Sequence, residues 1–206
     1  LGFLVVPAVL VAGYMVRVLR ATMHGDDAPP RFDDWGALAG DGVRAFAIAV
    51  VYGLVPTLLI AVTAAFAAVV AGPGPRSGLV VGAVTFVGGL LALALGLLAA
   101  YVVPAAIAAF AETDKIGAAF SFGELRPVLT SGTYATAWVY GIAILFGAGL
   151  IAGLFNVVPV IGQVATGFLG FYAAVSAYYL IGHAWGELRD VEMTERDDTM
   201  GESPAV

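Results

Sequence analysis

The residues best suited to chemistry gather in the first polar loop. His24, Asp26, Asp27, Asp33 and Asp34 are all of types that bind cations. They have no fixed ligand spacing and share their surroundings with Arg17, Arg20, Arg31 and Arg44, so the spacing reads as a solvated acidic loop, not a metal site. His183 and Glu187 stand four apart near the end of an apolar run. Two ligands fall short of the three that a catalytic metal ordinarily takes, and a helix-end hydrogen bond is the expected role. Asp33, Asp34 and Glu124 could act on lipid only with partners that the sequence does not supply. It contains no phosphate-binding glycine loop, no H-E-x-x-H, no G-x-S-x-G and no Cys. No catalytic, cofactor-binding or metal residue is assigned, and the chain reads as non-enzymatic.

The polar side chains deep in the apolar runs are hydroxyls: Tyr52, Thr57, Thr63, Thr85, Tyr101, Tyr140, Thr166, Ser176 and Tyr178. Bonds to backbone carbonyls or neighbouring helices are their expected role. Apart from Arg17 and Arg44 at their ends, the expected spans hold no charge, which argues against proton relays, voltage sensors and ion pumps. Pro7, Pro56 and Pro104 fall near mid-membrane, where each removes a helix hydrogen bond. Tolerated kinks are the first reading, and a transporter site at broken helices is the second.

Elements of membrane-crossing length must position these residues. Of the 206 residues 61% are hydrophobic and 12% charged, against about a quarter charged in soluble domains. Residues 45–75, 77–111 and 127–186 carry no charge, and each run exceeds the roughly 20 residues of one spanning helix. The expected fold is all-α: a polytopic bundle of about five transmembrane helices at 1–18, 43–70, within 79–110, 133–155 and 164–185. Gly72 to Arg76 breaks the second from the third, and a hairpin at 156–163, with Pro159 and Gly162, joins the last two. Most of the net charge of −6 sits in an acidic tail, 187–206, expected to be disordered. The body has no basic stripe and so no nucleic-acid partner is expected.

Orientation follows from the basic residues. Arg17, Arg20, Arg31, Arg44, Lys115, Arg126, Arg189 and Arg196 fall on the loops after the first and third spans and on the tail, leaving Arg76 alone on the other side. The long loops and tail are therefore expected in the cytoplasm of a multi-pass cell-membrane protein whose chain start lies outside. Among the nine basic residues only Lys115 is Lys, which together with the acidic tail suits a halophilic archaeon.

An internal match divides the membrane domain, 1–186, into parallel repeat units of about 1–72 and 79–157, with the fifth helix, 164–186, appended. Val5-Val6-Pro7-Ala8 recurs as Val102-Val103-Pro104-Ala105. Phe32-Asp33-Asp34-Trp35 with Gly42 recurs as Phe122-Gly123-Glu124-Leu125 with Gly132. Trp35, Leu38, Ala39 and Gly42 share one helical face behind a capping Asp, which predicts a cytoplasmic interfacial helix. Ile116 and Phe120 begin a second such helix before Pro127. Gly78 with Gly82, and Gly149 with Gly153, have the spacing that allows close helix approach.

Pro7, Gly13-Tyr14 and Arg17, then Pro30-x-Phe32-Asp33-Asp34-Trp35 and Asp41-Gly42, then Val103-Pro104-Ala105 to Phe120-Ser121-Phe122, and Tyr179-x-Ile181-Gly182-x-x-Trp185-Gly186 together resemble the archaeal membrane proteins grouped as DUF4013. The resemblance spans nearly the whole chain. It implies an integral membrane protein of unknown function. The residues favour a scaffold, assembly or envelope-organising protein working through helix packing and the interfacial helices. Its expected partners are membrane lipid and either a second copy or another membrane protein. The alternative is a small-solute transporter or channel with its site near the mid-membrane prolines.

Overall fold

In hydrocarbon a backbone can satisfy its polar groups only within itself, so uncharged runs rich in Ala, Leu, Val and Gly become helices. The computed structural model describes residues 2–26, 28–72, 75–155 and 160–201. Among the described residues six α-helices follow one another: α1 Gly2–Met23, α2 Trp35–Val70, α3 Pro75–Thr113, α4 Phe122–Leu129, α5 Gly132–Phe155 and α6 Ile161–Gly201. A 3₁₀ turn at Ile116–Phe120 precedes α4, and no strand occurs among the described residues. All but α4 are long and apolar enough to cross a membrane. The chain is thus a multi-pass, all-α membrane protein.

Local chemistry sets the helix ends. After α1, Gly25 adopts φ +75°, its N–H bonds the Thr22 carbonyl, and the Asp26 N–H reaches back to Ala21 at 3.0 Å. That is a Schellman close, which asks for a left-handed residue at this position. Asp114 closes α3 in the same left-handed region, at φ 56°, with its N–H on the Phe110 carbonyl at 2.9 Å. The Asp34 carboxylate caps α2 by accepting from the Ala37 N–H at 3.2 Å. Ser131 Oγ does the same for α5, accepting from the Tyr134 N–H at 3.1 Å.

Three elements depart from the sequence reading. The segment expected as a separate interfacial helix at 35–42 is the beginning of α2, which continues through the span to Val70. No Pro or Gly-Pro break stands between the two, so nothing interrupts the ladder. Consequently α2 carries Asp41 and Arg44, and α1 carries Arg17 and Arg20, within helices whose expected spans carry charge only at their ends. The second connection does contain short separate elements, the 3₁₀ turn and α4. Finally, α6 runs past the expected boundary at Gly186 to Gly201, where a disordered tail was expected. Of the expected hairpin at 156–163, residues 156–159, with Pro159, lie outside the described residues.

The helices divide between two compact units, Leu1–Phe46 with Pro104–Val206, and Ala47–Val103. In the first, α1 is the centre. Tyr14, Met15, Val16, Val18 and Leu19 are buried, and Phe171, Ala174, Tyr178 and Tyr179 of α6 pack on them with Leu38 of α2. Ala105 to Ala111 of α3, Tyr134 of α5 and Trp185 of α6 complete the core. α5 pairs with α6 where Gly141 rests on Ala177. The second unit consists of the remainder of α2 and the first part of α3, and Gly88 sits where any side chain would strike Thr63.

Because space around Gly25 is open and only its φ demands glycine, Gly25→Ala should cost about 1 kcal/mol. Asp114→Gly would relax the backbone while losing a carboxylate bonded to Arg20. Comparing Asp114→Gly with Asp114→Ala in unfolding titrations should find the glycine variant more stable, since both lack the carboxylate and only alanine keeps the strain.

Candidate functional site

The polar residues of the first unit converge at the C-terminal end of α1. Two glycines bring the helices there into contact. A Cβ on Gly13 would collide with the Leu38 carbonyl, and one on Gly42 with the Val9 carbonyl, so α1 and α2 cross backbone against backbone. On another side of α1, Gly182 lies against the Thr22 hydroxyl and Gly186 against the Met23 carbonyl. Gly182 and Gly186 stand four apart, so both present one face of α6. The pairs singled out in the sequence, Gly78 with Gly82 and Gly149 with Gly153, meet nothing within 4 Å.

Arg17 ties down the loop that follows. Its Nη1 donates to the Arg31 carbonyl at 2.9 Å, the Asp33 carbonyl at 2.7 Å and the Asp33 carboxylate at 3.1 Å, and its Nη2 to the Asp34 carbonyl at 3.0 Å. Tyr14 stacks on Phe32 with ring centroids 4.1 Å apart and donates its hydroxyl to the Pro30 carbonyl. Phe171 leans on both rings. Residues 30–34 are held by these bonds while residues 31–34 remain exposed to solvent.

Arg20, one turn on, joins three helices. Its Nη1 reaches Asp41 of α2 at 2.5 Å, its Nε donates to the Ala111 carbonyl of α3 at 3.0 Å, and its Nη2 meets Asp114. The guanidinium also lies over the Phe110 ring. Arg44 reaches Asp41 at 3.5 Å, and His24 Nδ1 lies 2.6 Å from the Arg20 carbonyl. A second group ties α3 to α6: Glu112 accepts from Trp185 Nε1 at 3.2 Å and Arg189 Nη2 at 2.9 Å. Arg20 and Arg189 thereby place two cations at the C-terminus of α3, where the helix dipole is negative.

Of the candidate residues, Gly13, Tyr14, Arg17, Phe32, Asp33, Asp34 and Gly42 come together, with Gly182 beside the same helix. Trp185 joins Glu112. Trp35 begins α2 with 59% of its surface exposed, and Phe122 begins α4 with 73% exposed. Glu124 is exposed in the first turn of α4. Gly132 meets nothing within 4 Å, unlike its repeat counterpart Gly42. Gly162 is buried in the first turn of α6. Pro7 is exposed in α1, and Pro104 lies inside α3. Pro56 borders a cavity of about 210 Å³ within the second unit, lined by Tyr52, Val55, Leu95, Leu98, Ala99 and Val102. Thr57 and Ser176 bond the carbonyls four residues back, as expected of hydroxyls in spans. Thr166 Oγ1 is buried without a partner among the described residues.

The chain matches the DUF4013 family, described as a protein of unknown function, over residues 1–157. It belongs to that family. The match takes in α1 to α5 and ends before α6, although α6 supplies Gly182, Gly186 and Trp185 to the packing around α1 and α3. No curated protein and no solved structure matches the chain.

Sequence reasoning missed Arg20, Glu112, Asp114 and Arg189, and took Asp41 only as part of a motif. A signal was present: Arg20 is one turn beyond Arg17, and Glu112 and Asp114 are the first charges after a long uncharged run. Among the described residues no three of His, Asp and Glu form a group able to hold a metal. His183 packs on the Tyr179 ring, with centroids 4.7 Å apart.

Burial should rank the two carboxylates on Arg20. The Asp41 side chain is 10% exposed and that of Asp114 73%, so solvent screens the second contact far more. Double-mutant cycles in detergent should give a coupling of about 2 kcal/mol or more for Arg20 with Asp41, and below about 1 kcal/mol for Arg20 with Asp114.

Proposed function

We propose that this DUF4013 protein is a non-enzymatic membrane scaffold or assembly protein of the cell envelope, acting through helix packing. The observation that carries the reading is how its arginines are used. Arg17, Arg20 and Arg189 spend their guanidiniums on carbonyls and carboxylates that join α1, α2, α3, α6 and the first loop. Polar chemistry here holds helices together. The second unit, meanwhile, exposes Val51, Leu54, Leu58, Val62, Phe66, Phe86, Leu90 and Leu97 along its helices. In a bilayer those side chains meet lipid, a second copy or another membrane protein. The long loops and tail are cytoplasmic on this reading, and the origin is archaeal and halophilic.

A photo-crosslinking residue at Leu58 or Phe86, in cells making the full chain, is expected to trap a membrane protein or a second copy. Crosslinks to lipid alone would defeat the scaffold reading. Asp33→Asn, Asp34→Asn and Glu124→Gln should leave cellular lipid composition unchanged. The absence of Cys makes orientation easy to read: Ser77→Cys and Glu187→Cys should label from opposite sides of the membrane.

One observation favours the transporter reading, namely the cavity beside Pro56. Pro56 has no N–H to give to the helix ladder, and Tyr52, one turn before it, lines the same mostly apolar space. If that space carries solute, proteoliposomes should show uptake that Ala99→Phe abolishes.

A further inference from the structure

A cleft of about 470 Å³ opens between the last turns of α1 and the loop after it, within the range of about 300–1,000 Å³ common for small-ligand sites. Arg17, Arg20, Asp26, Arg31 and Asp33 line it, with Pro29 and Pro30 at its rim. Its charges divide by what they already bind. Arg17 is paired with Asp33, and Arg20 with Asp41 and Asp114. Arg31 and Asp26 have no ion-pair partner among the described residues, and Asp26 accepts only the nearby Ala28 N–H. Arg17 bonds through Nη1 and Nη2, leaving Nε–H and one Nη2–H of the five donors that a guanidinium carries. Among the described residues the cleft therefore offers a cation outside any ion pair, with spare N–H groups, and a carboxylate outside any ion pair.

Its depth indicates the source of a ligand. The apolar stretch of α1, Val6–Met23, ends at the cleft, the level at which hydrocarbon gives way to headgroups. Phe32 and Trp35, both about half exposed, flank the same loop as residues of the interface do.

We propose that the cleft holds the headgroup of a glycerophospholipid that carries a hydrogen-bond donor. The phosphodiester meets the Arg31 guanidinium and the unused N–H groups of Arg17, and a hydroxyl or ammonium of the same headgroup donates to the Asp26 carboxylate. A phosphate alone would leave Asp26 facing an anion. A choline head has no N–H or O–H to give it. The site rests on the membrane architecture and is independent of the scaffold reading.

Native mass spectrometry of the full chain in dodecyl maltoside, titrated with phosphatidylglycerol or phosphatidylcholine of one chain length, tests this. Phosphatidylglycerol is expected to be retained about tenfold more tightly. Asp26→Ala should bring it down to the phosphatidylcholine level, and Arg31→Ala should weaken both lipids about tenfold. Arg31 meets Arg17 through its backbone carbonyl and not its side chain, so Arg31→Ala and Arg31→Gln leave that contact in place. Equal retention of the two lipids by the unaltered chain, or no change in folded Arg31 and Asp26 variants, would overturn the proposal. Displacement of the lipid by an equal concentration of chain-free glycerophosphoglycerol would overturn the lipid assignment, giving the cleft to a soluble phosphodiester.

Discussion

Everything polar in the first unit depends on how closely α1 is approached. At Gly13 and Gly42 the two helix backbones touch, and no side chain of any size fits between them. That contact sets the start of α2 beside the last turns of α1. Only then does Asp41 reach Arg20, and only then does the loop 30–34 fold back over Arg17. Gly182 and Gly186 give α6 a similarly close approach, so α1 is met on two sides by glycine, beside the packing of Phe171, Tyr178 and Tyr179 on its side chains. Without a hydrophobic drive between helices in lipid, such close backbone packing is a main source of association.

Charge enters where hydrocarbon stops. Arg17 and Arg20 lie in the last turns of α1, and Glu112 and Asp114 at the end of α3. Three of the carbonyls they hold belong to the loop, and one belongs to the last turns of α3. The Asp34 carbonyl also accepts from the Leu38 N–H, but loop and last-turn carbonyls otherwise have no ladder partner, so each needs water or a donor. Arginine suits this work because one planar group serves several acceptors in fixed directions, which the compact ammonium of lysine cannot do. The preference for Arg over Lys in the chain thus has a use at these positions, whatever the organism.

The two halves of the proposed repeat differ in the elements between their long helices and in their contacts. Gly42 is pressed on Val9, whereas Gly132 stands in open space. Where the first half has Arg17 ten residues after Pro7, the second has Asp114 ten residues after Pro104. A cation in the last turns of α1 and the Asp114 carboxylate just after α3 bring the ends of the two helices together through Arg20. If the halves arose by duplication, their charges have become complementary.

Composition alone determined the solvent, the helical class and the number of crossings, because a backbone in hydrocarbon has no alternative to the helix and the spans are far longer than chance runs. The resemblance to the family also singled out Gly13, Tyr14, Arg17, the 32–35 segment and Gly42. What these residues do came only from tertiary structure. Arg17 bonds mostly to carbonyls, which every residue possesses, so no sequence pattern names its partners. Arg20 reaches Ala111 and Asp114 across a separation that neither periodicity nor spacing encodes. The partner of Asp41 was likewise decided by geometry, since only the packing of α1 on α2 sets Arg20 against that buried carboxylate.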